Sequence, residues 1–287
     1  MQFIQDLCLT NLLVNAILVG PHHDPFMFTW DSIIDNNREF DTTYNIEDAK
    51  RLLQLSFMIT DSQAYNIPLN VPSLFENVEL LYDNCPISLV SKGLAKSSYN
   101  DPSVVANILY NNDTNTLYII FVGTTNACMG ALDVAYTQVE LTDLTNYIPG
   151  LRGHKGVYLS YISIRDKLLN VLEKYLVYNP TIVITGHSLG GALSQLCALD
   201  LAVYEPIHYS FAAPMIYNKI GYEVFNRYMK YSYRIGNISD IVTFAPLPIM
   251  PNKDIFYHVG ESITFQRNLG EYPLNHTVAY TQEFSLV

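Results

Sequence analysis

The chain has 287 residues, enough for one large α/β domain or two small ones. Hydrophobic residues make up 49% and charged residues 15%, which excludes global disorder and provides for a sizeable core. A formal charge of −11 argues against nucleic acid and against an anionic membrane surface held by charge, so any transient contact with a lipid interface has to be apolar.

Residues 1–44 read as an N-terminal extension without a usable motif, although they hold the only tryptophan, Trp30. The apolar runs at 12–14 and 16–19 are interrupted by Asn15, and Asp6 stands where a signal peptide wants a positive charge. No small-x-small cleavage site precedes Gly20-Pro21-His22-His23, so a standard signal peptide is not expected. The run is also too short to span a bilayer and reads as an ordinary buried helix or strand.

A helix is expected from Asn45, a good cap, with Glu47 and Asp48 in its first turn and Ile46, Ala49, Leu53 and Phe57 on one face. Residues 61–102 read as irregular, punctuated by Pro68, Pro72 and Pro86. Two strands are expected at 104–110 and 117–122, joined by a hairpin turn through Asn111-Asn112-Asp113-Thr114-Asn115. The second is almost wholly apolar, as a strand buried on both faces should be, and it ends in Gly123-Thr124-Thr125. Loops at strand ends are where α/β proteins place their chemistry. Residues 126–134 are small and apolar around Gly130, which suits either core packing or a hinged lid. A second helix is expected at 158–178, with Tyr161, Ile164, Leu168 and Leu172 inward and Asn179-Pro180 closing it.

The most informative stretch is Ile182-Val183-Ile184-Thr185-Gly186-His187-Ser188-Leu189-Gly190-Gly191. A β-branched run stops at a glycine, a serine follows, and two glycines lead into an apolar helical pattern. This is G-x-S-x-G in a strand–turn–helix setting, the setting that a nucleophilic serine requires. Gly186 and Gly190 carry no Cβ, so the helix can pack close to the strand while Ser188 adopts a strained backbone. The N–H of Leu189 then lies at the positive end of a helix, where a developing oxyanion is stabilised.

Leu189, Leu193, Leu196 and Val203 mark a buried helix, followed by strands at 207–212 and 231–235, the latter running into Gly236-Asn237-Ile238-Ser239-Asp240. Alternating helices and apolar strands predict an α/β fold with a mostly parallel central sheet and helices on both faces, in one domain over 1–287. Cys8, Cys85, Cys128 and Cys197 are widely spaced and match neither a zinc site nor a disulfide framework, which suits a reducing compartment. His154 and the His22-His23 pair likewise form no metal-binding pattern.

A serine nucleophile needs a base, and the base needs an orienting carboxylate, in the chain order Ser, Asp or Glu, His. Asp240 follows directly on a strand, whereas Asp200 lies three turns into the nucleophile's helix and points away. A solvated loop aspartate is the competing reading of Asp240. For the base, His208 falls on the wrong side of Asp240. His258 sits in a strand-like run, Phe256-Tyr257-His258-Val259-Gly260, that suits a structural histidine. His276 lies in a polar loop after Pro273 and is preferred, with His258 the alternative. His187 neighbours the nucleophile, but its side chain should diverge from the serine's.

The nucleophile block resembles that of the class 3 lipases, the fungal triacylglycerol lipase-like α/β-hydrolases. Four further blocks extend the resemblance over roughly 45–287. They are Ile120-Phe121-Val122-Gly123-Thr124, His154-Lys155-Gly156-Val157-Tyr158, the stretch from Tyr233-Arg234-Ile235 to Asp240-Ile241-Val242, and Tyr257-His258-Val259-Gly260-Glu261. His276 before Thr277-Val278-Ala279-Tyr280 falls where the family has its catalytic histidine. The resemblance implies Ser188 as nucleophile, Asp240 as orienter and His276 as base. It implies backbone N–H groups of Thr124 and Leu189 as the oxyanion hole, with the Thr124 hydroxyl as a third donor. It gives His258 a structural role. Val122 and Met215 stand where the family has arginines, and no tryptophan follows Thr124.

The expected activity is serine-dependent hydrolysis of acyl esters of glycerolipids, through an acyl-enzyme and without cofactor or metal. The expected partner is a lipid or small ester substrate. A lipase-like fold kept as a silent binding module is the alternative. Three N-x-[ST] sites, at Asn112, Asn237 and Asn275, bear on compartment. Glycans on the last two would crowd the mouth of such a site, which favours an intracellular, cytoplasmic setting.

Overall fold

The computed structural model describes residues 24–34, 38–83, 103–125, 137–246 and 255–286. The stretch read as core or lid, 126–134, lies outside the described residues, as do Cys8, Cys85 and Cys128. Cys197 is buried as a free thiol.

After a short helix α1 (Asp31–Ile34), helix α2 spans Ile46–Tyr65. It starts where expected because the Asn45 side chain accepts the N–H groups of Glu47 and Asp48, at 2.8 and 3.4 Å. Leu52, Leu53, Leu55, Phe57 and Ile59 form its buried face. Ile46, expected on that face, is half exposed. The first turn instead seats Asp48, whose buried carboxylate binds Arg51 at 2.9 Å and Arg38 at 3.0 Å. The preceding segment is part of the core: Trp30 packs on Phe75, Phe40 on Tyr118, and Tyr44 on Tyr209 and Tyr233.

Among the described residues, one sheet runs in the order β1 (Phe75–Asp83), β2 (Ser103–Asn111), β3 (Thr116–Phe121), β6 (Thr181–His187), β7 (Ile207–Phe211), β8 (Tyr231–Asn237) and β9 (Glu261–Phe265). Strands β1 to β3 pair antiparallel, and β3, β6, β7, β8 and β9 pair parallel. A small ladder joins β4 (Gln138–Glu140) to β5 (Arg152–His154). Strand β1 corrects the expectation of irregular chain over 61–102. Its pairing with β2 shifts register between Asn77 and Glu79 and again between Leu81 and Tyr82, and these shifts erase the alternation that would reveal a strand.

Helix α3 (Lys155–Leu176) begins earlier than its periodicity suggests, because the His154 ring nitrogen accepts the Val157 N–H as an unexpected cap. Helices α3 and α4 (Leu189–Asp200) cover one face of the sheet, where Leu168 and Leu193 join Phe121 and Ile184 in one buried cluster. Helix α2 covers the other face over Ile120, Val183 and Phe211. Val203 does not continue the buried helix. It sits exposed in a 3₁₀ turn, Ala202–Tyr204. Asp200 ends α4 by accepting from Arg165, Tyr161 and the Thr145 N–H, which holds the 141–147 loop. The chain then forms α5 (Lys219–Tyr228), a 3₁₀ turn (Ile241–Phe244) after β8, and α6 (Tyr272–His276) and α7 (Val278–Glu283) after β9. The strand expected around His258 is a single bridge from Tyr217 to Tyr257, and the pairing proper starts at Glu261.

Two features dock α4 on the sheet. A Cβ on Gly190 would lie 2.4 Å from the Phe121 carbonyl oxygen, and one on Gly186 would lie 2.3 Å from that of Gly190. The obstacle is backbone in both cases, so neither can yield as a side chain would. Below them, Ser194 Oγ donates to the Gly191 carbonyl and lies 3.0 Å from His208 Nε2, while His208 Nδ1 lies 2.8 Å from Ser232 Oγ. Because the Ser194 proton is committed to Gly191, His208 carries its own proton on Nε2 and accepts from Ser232 at Nδ1.

Burial lowers the His208 pKa from 6.5 to about 3. An unfolded chain takes up a proton near pH 6.5 that the folded chain refuses until about pH 3, so falling pH favours unfolding through this group. Its contribution is complete above about pH 6.5 and is lost towards pH 3 at roughly 1.4 kcal/mol per unit. In urea titrations, wild type should lose about 3 kcal/mol more stability between pH 6.5 and 4 than His208→Gln does. Parallel pH curves for the two would contradict the buried neutral imidazole. Gly190→Ala should cost about 2–3 kcal/mol by forcing α4 off β3, and an unshifted thermal transition would contradict the close approach.

Candidate active site

Ser188 stands between β6 and α4 with φ 61° and ψ −125°, a left-handed backbone for a residue with a side chain. The strain is held from both sides. The Ser188 N–H donates to the last carbonyl of β7, Phe211, at 2.9 Å, and the Ser188 carbonyl accepts the Ala192 N–H as α4 begins. The conformation lifts the hydroxyl off the end of the sheet towards α6.

His276 meets it there. Its Nε2 lies 2.8 Å from Ser188 Oγ, and its Nδ1 lies 2.8 Å from Asp240 Oδ2. The carboxylate can only accept, so Nδ1 carries the proton and Nε2 is left to accept from the serine hydroxyl. Asp240 follows β8 and is fully buried. Its Oδ1 accepts the Val242 N–H at 3.0 Å, and its Oδ2 also accepts the Tyr280 hydroxyl at 3.1 Å. Burial and then the Asp240 charge push the Tyr280 pKa well above its ordinary value, so this phenol stays a donor. The same hydroxyl accepts the Asn237 N–H at 2.9 Å. The structure therefore brings the three predicted residues together in one hydrogen-bonded run, Ser188–His276–Asp240.

His276 is not on a loop. It is the last residue of α6 and is 4% exposed. Pro273 near the start of that turn suggested a loop, yet proline is well tolerated in a helix's first turn. His258 stands apart, in contact with the Thr243 backbone, and burial followed by the Arg234 charge lowers its pKa to about 4.

The other two predicted residues stand at neighbouring strand ends: Phe121 pairs with Gly186, Thr124 follows β3, and a Cβ on Gly123 would lie 3.3 Å from the His187 carbonyl oxygen. Leu189 opens α4, where the first N–H groups of a helix have no intrahelical acceptor. The turn after β3 is fixed by Thr60 of α2, whose hydroxyl accepts the Gly123 N–H at 3.1 Å. Thr60, Phe57 and Tyr280 are residues around the site to which the sequence pattern assigns no role. The spacing of Phe57 reads as core, Thr60 belongs to no motif, and Tyr280 stands only within the block after His276.

Asn237 and Asn275 are buried, and their side chains knit the site. Asn237 donates to the Arg267 and Asn275 carbonyls and accepts from Ser239 and Arg267 N–H groups. Asn275 donates to the Ser239 carbonyl and accepts the Leu269 N–H. These two N-x-[ST] sites serve packing, and Asn112 is the exposed one of the three. Around the carboxylate, Ile238, Ile241 and Phe244 present exposed apolar surface.

Residues 118–250 match the sequence model of the family described as lipase (class 3). A lipase of Rhizomucor miehei is 35% identical over 88 residues, 30% of this chain and 23% of that protein. A lipase of Rhizopus niveus is 30% identical over 103 residues, 34% of this chain and 25% of that protein. The chain thus spans about a quarter of the length of these curated relatives. In fold it is similar to the Rhizomucor miehei lipase–propeptide complex, with a TM-score of 0.57 and 19% identity over 87% of this chain and 83% of that one. This likeness in fold agrees with the sheet and helices described above, and over residues 118–250 the chain is similar to the class 3 lipases.

Proposed function

We propose that the chain is a serine carboxylester hydrolase that cleaves acyl esters of glycerolipids, as a triacylglycerol lipase does. The observation that carries this reading is the hydrogen-bonded run Ser188–His276–Asp240, 2.8 Å at each contact, on a strained turn at the end of a parallel sheet.

Ser188 Oγ attacks the acyl carbonyl carbon while His276 Nε2 takes its proton, and the imidazolium formed is stabilised by Asp240. The carbonyl oxygen becomes an oxyanion, for which the N–H groups of Leu189 and Thr124 are the donors, with the Thr124 hydroxyl as a third. His276 returns the proton to the departing alcohol, which leaves an acyl group esterified to Ser188. Water then attacks that ester with His276 as base, and a carboxylic acid is released. The scheme needs no metal or cofactor. The exposed apolar side chains of Ile238, Ile241 and Phe244 favour an acyl substrate and an apolar, transient contact with lipid. The formal charge of −11 makes an uncharged lipid surface the better partner.

A fluorophosphonate probe should label Ser188, and His276→Ala should lower kcat on a glyceride ester about a thousandfold or more. A folded protein inert to the probe and to esters would overturn the proposal and leave the binding-module reading. Thr124→Val keeps the backbone N–H and removes the hydroxyl, so kcat should fall roughly 10²–10³-fold with KM little changed. An unchanged kcat would remove that hydroxyl from the oxyanion site.

A further inference from the structure

We propose that His187 is a positioning residue that holds the catalytic histidine by its main chain. This rests on the hydrolase reading for its consequence and on separate geometry for its evidence.

Helix α6 ends at His276, and the chain leaves helical conformation at Thr277, with φ −124° and ψ −73°. A carbonyl at a helix end has lost its regular intrahelical donor. The His276 carbonyl oxygen lies 2.8 Å from His187 Nε2. A carbonyl can only accept, so Nε2 of His187 is the protonated nitrogen and donates. Residues 187 and 188 therefore grip residue 276 at two points: Ser188 by its ring nitrogen, His187 by its backbone, each at 2.8 Å.

The His187 ring is itself fixed. Phe57 of α2 packs against it at 4.7 Å between centroids, the His276 ring lies at 4.8 Å, and Tyr280 meets it edge-on at 5.6 Å. The residue is 5% exposed. A ring wedged in this way delivers its N–H in one direction, towards α6. A backbone anchor acts on where the His276 ring starts from, whereas Asp240 acts on how it is turned. Both degrees of freedom must be set for Nε2 to stay within reach of Ser188, because reaction rates fall steeply with small displacements of the reacting atoms. His187 touches no reacting atom, so its loss should appear in kcat and in the state of the His276 imidazole, with substrate affinity spared.

Three variants separate this role from plain packing. His187→Phe keeps the ring and loses the donor. His187→Gln keeps an N–H close to Nε2 and loses the ring. His187→Asn carries a donor too short to reach the carbonyl and serves if His187→Phe does not fold. The readout that needs no substrate is proton NMR of protein labelled with ¹⁵N-histidine, following the downfield His276 Nδ1–H that faces Asp240 and assigning it by its absence in His276→Gln. The resonance should broaden or shift in His187→Phe, or in His187→Asn, while cooperative unfolding persists, and His187→Gln should retain it. On an ester substrate, His187→Phe should lower kcat about 10–100-fold with KM within about twofold, and His187→Gln should recover most of that. An unmoved resonance in His187→Phe, or equal damage in His187→Gln and His187→Phe, would overturn the proposal. A wild type that hydrolyses no ester, yet loses the resonance on His187→Phe, would contradict the hydrolase reading and keep this one.

Discussion

The turn from β6 into α4 passes so close to its neighbours that a single added carbon at Gly186 or Gly190 would strike backbone at 2.3–2.4 Å. That proximity forces the positive φ of Ser188, and it brings the first turn of α4 against the end of β3. The geometry of the site follows from it. The hydroxyl is raised because the chain has nowhere else to turn, and the Leu189 N–H stands at the start of α4, where helix N–H groups lack intrahelical acceptors. The cost of the strain is met by ordinary packing elsewhere: the Phe211 carbonyl on the Ser188 N–H, the His208–Ser194–Ser232 contacts beneath, and two apolar layers around the sheet.

The other halves of the site arrive from distant sequence and are tied to each other before they reach Ser188. Asn237 and Asn275 bond the ends of β8 and α6, and Tyr280 joins the Asn237 N–H to the Asp240 carboxylate. His187 connects that assembly to the sheet, and Thr60 separately ties the turn after β3 to α2. Asp240 and His276 thus belong to one hydrogen-bonded cluster, docked on the serine turn through Ser188 and His187. The buried Asp240 side chain is bonded to the Val242 N–H, the Tyr280 hydroxyl and the His276 ring, so its polar atoms are well satisfied away from water.

Much of this could be read in the chain. The glycine spacing around Ser188, the apolar run at 117–122 and the Asn45 cap each have a local physical cause, so they emerge from local pattern. The chain order of serine, acid and histidine restricts the partners to residues after 188, the strand before Asp240 singles out the acid, and His276 and His258 both remain as bases in chain order. What stayed hidden depends on contacts between remote segments. The β1 strand is masked by its register shifts, and the α6 turn by a proline that suits a helix start as well as a loop. Nothing in the neighbourhood of His187, Thr60 or Asn237 reveals that its partner lies 89, 63 or 38 residues away. The two N-x-[ST] asparagines of the site look like surface signals in sequence and are buried struts in the fold.

The central claim is that Ser188 forms a covalent ester with the acyl group of its substrate. The most direct measurement is acid quenching during turnover of a slowly deacylated ester, followed by peptide mass spectrometry. The account predicts one acyl group on the peptide that contains Ser188, present in wild type and absent in Ser188→Ala. Continued hydrolysis by Ser188→Ala, or an acyl group carried on a different residue, would contradict it.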